Sequence, residues 1–170
     1  MVTKDEIKND NRFFIDDWNL DRIMRRPVLS YEICPIKLGN IWRIINRTPI
    51  PLCETDIYKY LDGSAESRKN YEDYCSSPLC EGNSYRGVEV YNSLIHTMET
   101  TGYDMKKGAV FVDQLNFIQE GQHRSCILLH NYGPEYKIDV VKIHYQGLYI
   151  RTRFKKSLAM LKFHKKMRKR

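Results

Sequence analysis

Between Gln119 and Ser125 the chain reads "QEGQHRS", and most of the residue types that could do chemistry stand together there. A carboxylate, Glu120, precedes a glycine, Gly121. Gln122, His123, Arg124 and Ser125 follow and open an apolar helical run, "HRSCILLHNY". The start of a helix offers unpaired backbone N–H groups and a partial positive charge, a ready seat for an anion such as phosphate. Gly121 lets the backbone turn sharply and approach a phosphate. His123 and Arg124 would add donors to phosphate oxygens, and Ser125 a hydroxyl. Two cationic types in a first turn oppose the helix dipole unless an anion sits there. Glu120 would hold a magnesium ion or act as a base. The plain alternative is a surface junction in which Glu120 caps the helix.

The elements that must position this junction are legible around it. "VEVYNSLIHTMETTGYD" carries Tyr91, Leu94, Ile95 and Met98 at helical spacing, with Gly102 suited to a C-terminal cap. "AVFVD" and "NFIQ" bracket Gln114 and Leu115 as a hairpin would. The helix from His123 closes at Gly133 and Pro134, and "YKIDVVKIHY" reads as a strand. Upstream, "NRFFIDDWNLDRIMRRP" has loosely helical spacing that Pro27 ends, and "VLSYEICPIKL" reads as a first strand. In "IWRIINRTPIPLCETDIYKYL" Pro49 and Pro51 predict strand, loop, then short helix. Residues 62–87 are polar and turn-rich and read as a surface excursion. The fold class expected is α+β: a small mixed sheet with packed helices. The division expected is a helical arm over 1–27, a nucleotide-binding domain over 28–148 and a basic amphipathic helix over 149–170.

Charge is distributed unevenly. The net charge of +7 arises in the last twenty residues, which hold ten Lys/Arg and no Asp/Glu; the rest is mildly acidic. Such a tail suits phosphate-rich surfaces. Within it Ile150, Phe154, Leu158 and Leu161 form one apolar helical stripe among Lys and Arg. It reads first as a helix docked on the domain, second as an interfacial helix on an anionic membrane surface, and third as a nucleic-acid contact. The charged first residues and short apolar runs contain neither a secretory leader nor a spanning segment. A cytoplasmic protein, peripheral to the inner membrane face if the tail binds lipid, is the expectation. The five cysteines include no CxxC; Cys75 and Cys80 have no matching pair, so free thiols fit better than zinc. His96, His130 and His144 show no ligand spacing.

Residues 88–145, about a third of the chain, resemble the ParB/sulfiredoxin superfamily: a helix ending in glycine, a hairpin, a glycine-and-basic signature opening a second helix, and an "I-x-V" strand. Sulfiredoxin has a cysteine directly before its His-Arg, where this chain has Gln122. The chromosome-partition branch carries a Gly-Glu-Arg-Arg box and a long helix-turn-helix region, for which the residues after the last strand leave no room. "EGQHR" is closest to the Asp-Gly-x-His-Arg box of the small-molecule kinases and the ParB-like proteins of surface-polysaccharide clusters, with Glu120 in place of aspartate. The resemblance implies a kinase using ATP or another nucleotide with Mg2+, and a small hydroxylated acceptor, such as a sugar unit in surface-polysaccharide biosynthesis. Gly121 to Ser125 would then hold the phosphates, and Glu120 and His123 would serve catalysis. That branch also uses an upstream glutamate, which Glu54 supplies in chain order, with Asp56 as its alternative. The plain reading of Glu54 is a helix N-terminal carboxylate, favourable to the dipole and nothing more. The competing functions are a ParB-like nucleotide switch or nucleic-acid-associated binding protein, and a nuclease, which would need more metal carboxylates than Glu120 alone.

Overall fold

The computed structural model describes residues 1–76, 87–147 and 150–167. Its centre is a mixed four-stranded sheet. Strand β1 (Val28–Lys37) pairs antiparallel with β6 (Lys137–Tyr145) from Lys37↔Lys137 to Val28↔Tyr145, with one irregularity near Ser30. On its other side β6 runs parallel to β4 (Phe111–Asp113), which turns into antiparallel β5 (Ile118–Glu120).

Alternation along the strands separates two cores. Ile36, Val110, Val112, Ile138 and Val140 face one side; Phe111, Val141, Ile143 and Tyr145 face the other. The first side is covered by α3 (Asp56–Leu61), α4 (Ala65–Cys75), α5 (Val88–Thr101) and α6 (Gln122–Tyr132), through Ile57, Tyr71, Tyr91, Met98 and Cys126 to Leu129. The second is covered by α1 (Lys4–Lys8) and α2 (Asp17–Met24), through Ile7, Leu20 and Ile23, with Phe13 edge-on to Phe111. Thr3 and Glu6 form a capping box on α1, which the sequence reading passed over.

The strand, hairpin and helix assignments from Val88 to Tyr145 match the structure, and so does β1. Gly102 and Gly133 end α5 and α6 with φ of +74° and +80°. Three expectations are corrected. Pro49 and Pro51 do not break a strand but lie in one: β2 (Trp42–Ile45) and β3 (Thr48–Pro51) form a hairpin. Asn46 and Arg47, both at positive φ, make its two-residue turn. In such a hairpin Ile45↔Thr48 and Arg43↔Ile50 carry the hydrogen bonds. Pro49, opposite Ile44, falls between these pairs and Pro51, opposite Trp42, just beyond the second, both at positions where a missing N–H removes no bond between the two strands.

The segment from Ala65 to Cys75 is not a surface excursion but helix α4. Ser64 caps it, and it buries Ser67 and Tyr71 on one face while most of its other residues are exposed. Third, α7 (Ile150–Met167) packs against β3, but not by the expected stripe, since Leu158 and Leu161 face solvent. Cys80 and the side chains of Ile150 and Phe154 lie outside the described residues.

Candidate functional site at the start of α6

Strand β5 delivers Glu120 to a left-handed residue, Gly121 (φ +81°, ψ 24°), which is the N-cap of α6. Space as well as conformation demands glycine. A Cβ there would lie 2.9 Å from Val110 Cα and 3.0 Å from Ala109 O. The chain thus passes tightly over the start of β4. No side chain caps the helix from Gly121, so the N–H groups of Gln122, His123 and Arg124 are those an anion would meet.

Ser125 does not join them. It is fully buried, and both its backbone N–H and its hydroxyl donate to Gly121 O at 3.0 Å. Its role is to fasten the turn from inside. Gln122 points elsewhere too. Its Oε1 accepts from Arg43 of β2, and its Nε2 is buried with no partner among the described residues.

His123 is held by aromatic neighbours. Its Nε2 is 2.8 Å from the Tyr71 hydroxyl, and its ring centroid is 4.7 Å from that of Tyr91 and 5.7 Å from that of Tyr71. Burial pushes the phenols of Tyr71 and Tyr91 well above the ordinary tyrosine range, so both stay protonated at neutral pH. If the Tyr71 hydroxyl donates to that nitrogen, a neutral ring carries its proton on Nδ1. Arg124 lies across Gly108 (φ +150°), where any Cβ would overlap its guanidinium, and reaches Lys107 O at 3.4 Å. The exposed Lys106 and Lys107 add charge beside it.

Glu120 is engaged. Its Oε2 accepts from Arg22 Nη2 of α2 at 2.7 Å, and the same guanidinium donates to Gln119 O and, at 3.0 Å, to Asn19 Oδ1. No group of three or more His, Cys, Asp or Glu side chains suited to a metal ion occurs among the described residues. A single carboxylate already paired with arginine does not fit a protein-held Mg2+. The ion would have to arrive on the phosphates.

Glu54 ends a short 3-10 turn, Leu52–Glu54, that packs against α6. The next residue, Thr55, is buried with its hydroxyl 3.7 Å from Cys126 Sγ. Asp56 opens α3 and accepts from the Ser67 hydroxyl at 3.3 Å, which ties it to α4. Burial pushes the Cys126 thiol up to about 12, so it is no nucleophile at neutral pH.

The structure therefore gathers Glu120, Gly121, His123 and Arg124 at one helix start, sets Glu54 on a segment packed against that helix, and turns Ser125 inward. Sequence reasoning missed Arg22, Arg43 and Tyr71. Arg22 and Arg43 sit far away in the chain and carry no local signal. Tyr71 had one, since Ser64 followed by Ser67 and Tyr71 is a capped helix with one inward face. No family model, curated protein or solved structure matches this chain.

Proposed function

We propose that the chain binds a nucleotide with its phosphates at the start of α6 and transfers a phosphoryl group to a small hydroxylated acceptor. The observation that carries this reading is the uncapped helix start entered through Gly121, with Arg124, His123 and two exposed lysines around it. The resemblance of residues 88–145 to the small-molecule kinase branch of the ParB/sulfiredoxin superfamily supports the acceptor class. Backbone N–H groups and the Arg124 guanidinium offset phosphate charge, and His123, oriented by Tyr71, stands beside them in the first turn. Mg2+ bound to the nucleotide would neutralise charge on the transferred group. Glu54 is the candidate for orienting the acceptor hydroxyl.

A second reading, nucleotide binding without turnover, is favoured by one observation: Arg22 holds the Glu120 carboxylate, which a base or metal ligand would need free. Calorimetry with ATP, ADP, CTP and GTP in the presence of magnesium tests the shared part. Wild type binds one of them, and Arg124→Ala weakens it by about tenfold or more, the worth of a charge-assisted hydrogen bond. Absence of binding by wild type overturns both readings. Phosphorylation of hydroxylated metabolites then separates them: turnover lost in Glu54→Gln supports the kinase, and binding with no turnover supports the switch.

A further inference from the structure

Helix α7 docks through a strip that includes a lysine. Among the described side chains Lys156, Ala159, Met160 and Phe163 are half-buried, at the spacing of one helix face. Lys156 Nζ donates to Leu115 O and stands 5.0 Å from the Phe117 ring centroid and 5.9 Å from that of Trp42. Phe163 meets Trp42 edge-on at 6.2 Å. The leucines face away: Leu158 is 43 % exposed and Leu161 69 %. Lys155, Lys162 and Lys165, all exposed, stand three or four residues from one leucine or the other on that same face. No acidic residue occurs from Arg151 onward.

We propose that this outer face of α7 is an interfacial surface for an anionic bilayer. The leucines would enter the headgroup–acyl boundary while the lysine stems reach back to anionic headgroups. This goes beyond the α6 site and does not depend on it. Charge complementarity selects an anionic partner, and two outward leucines set between lysines select lipid over nucleic acid. A phosphodiester backbone recruits cations but gives exposed leucines nothing to contact.

Sedimentation of the full chain with vesicles is the test. The protein binds vesicles of equal parts phosphatidylcholine and phosphatidylglycerol and stays in solution with phosphatidylcholine alone. Leu158→Ser with Leu161→Ser lowers the vesicle partition coefficient about tenfold, and Lys162→Gln with Lys165→Gln lowers it by at least as much. All four residues are exposed, so circular dichroism and the melting curve should match wild type. Failure to bind anionic vesicles, equal binding to neutral ones, or binding untouched by the leucine pair each overturns the proposal. Salt-sensitive binding to duplex DNA or RNA that survives the leucine changes, with no vesicle binding, overturns it in favour of nucleic acid.

Discussion

Helices α2 and α7 both flank the β4–β5 hairpin, and both send it a cation. Arg22 from α2 donates to Gln119 O and Glu120, and Arg26, just beyond α2, donates to Gln119 Oε1 at 3.0 Å with its guanidinium 3.7 Å from the Tyr145 ring centroid. Lys156 from α7 donates to Leu115 O. There the likeness ends. Helix α2 buries Leu20 and Ile23 to 0 % and 2 % exposure, whereas α7 leaves its leucines outside and desolvates a lysine instead. Planar guanidinium groups make several hydrogen bonds while remaining charged; a buried ammonium resists its own burial. Helix α2 is part of the body, and α7 rests on it through a face that carries a desolvated lysine.

The sharpest way to break this comparison is to trim leucines on both helices. Leu20→Ala should lower unfolding stability by about 3 kcal/mol, the usual cost of a large-to-small change in a filled core. Leu158→Ala with Leu161→Ala should stay within about 0.5 kcal/mol, as exposed changes do. Urea unfolding followed by circular dichroism measures both. Equal losses would mean that α7 is as much core as α2.

Next in size is the hairpin between the two helices. Asp113 is buried, and its Oδ1 accepts from Leu115 N at 2.8 Å and Phe117 N at 2.9 Å. Asp113→Ala leaves two donors unmet and should cost about 2 kcal/mol. Burial pushes the Asp113 carboxyl above its ordinary value, so the charged form is disfavoured, and Asp113→Asn, which keeps an acceptor, should cost clearly less. A larger loss in the asparagine variant would show that the charge itself is needed, as a partner for Arg26 and Lys156. Gly121→Ala should follow at about 1–2 kcal/mol, because a left-handed residue with a Cβ is strained before its clash with Val110 is counted. The same variant should lose nucleotide binding, which calorimetry reads independently of the melt.

Much of this was legible in the chain. The period of two in "YKIDVVKIHY" and the 3.6 spacing from Tyr91 to Met98 are local signals, and they placed the central strand and α5. Gly121 before "HRSCILL" marked the helix start. What escaped depends on partners far apart in sequence. Nothing near Glu120 announces Arg22, and nothing near Gln122 announces Arg43. The prolines of β3 misled because a breaker in a central strand is harmless at the non-bonded positions of a two-stranded hairpin. The stripe of α7 misled for another reason. Periodicity shows that a helix has an apolar face, not which surface that face meets, and here the domain takes the lysine side.

The smallest expected effect probes that lysine side directly. Burial lowers the Lys156 amine from 10.5 to about 8; Asp113 on β4 opposes the shift, Lys142 on β6 adds to it, and the rings of Trp42 and Phe117 favour the charged form. Between these two values an undocked Lys156 holds more protons than a docked one. Docking of α7 therefore strengthens as pH rises from about 8 towards 10.5, and the cost of burying the charge is fully present below about 8. Lys156→Met removes that cost. It should tighten α7 by about 1 kcal/mol at neutral pH and abolish the pH dependence. Hydrogen exchange of α7 amides, corrected for the intrinsic rate, measures both: protection rises with pH in wild type and is higher and flat in the variant. Protection that is already flat in wild type would mean that Lys156 remains hydrated and that its charge does not limit the docking of α7.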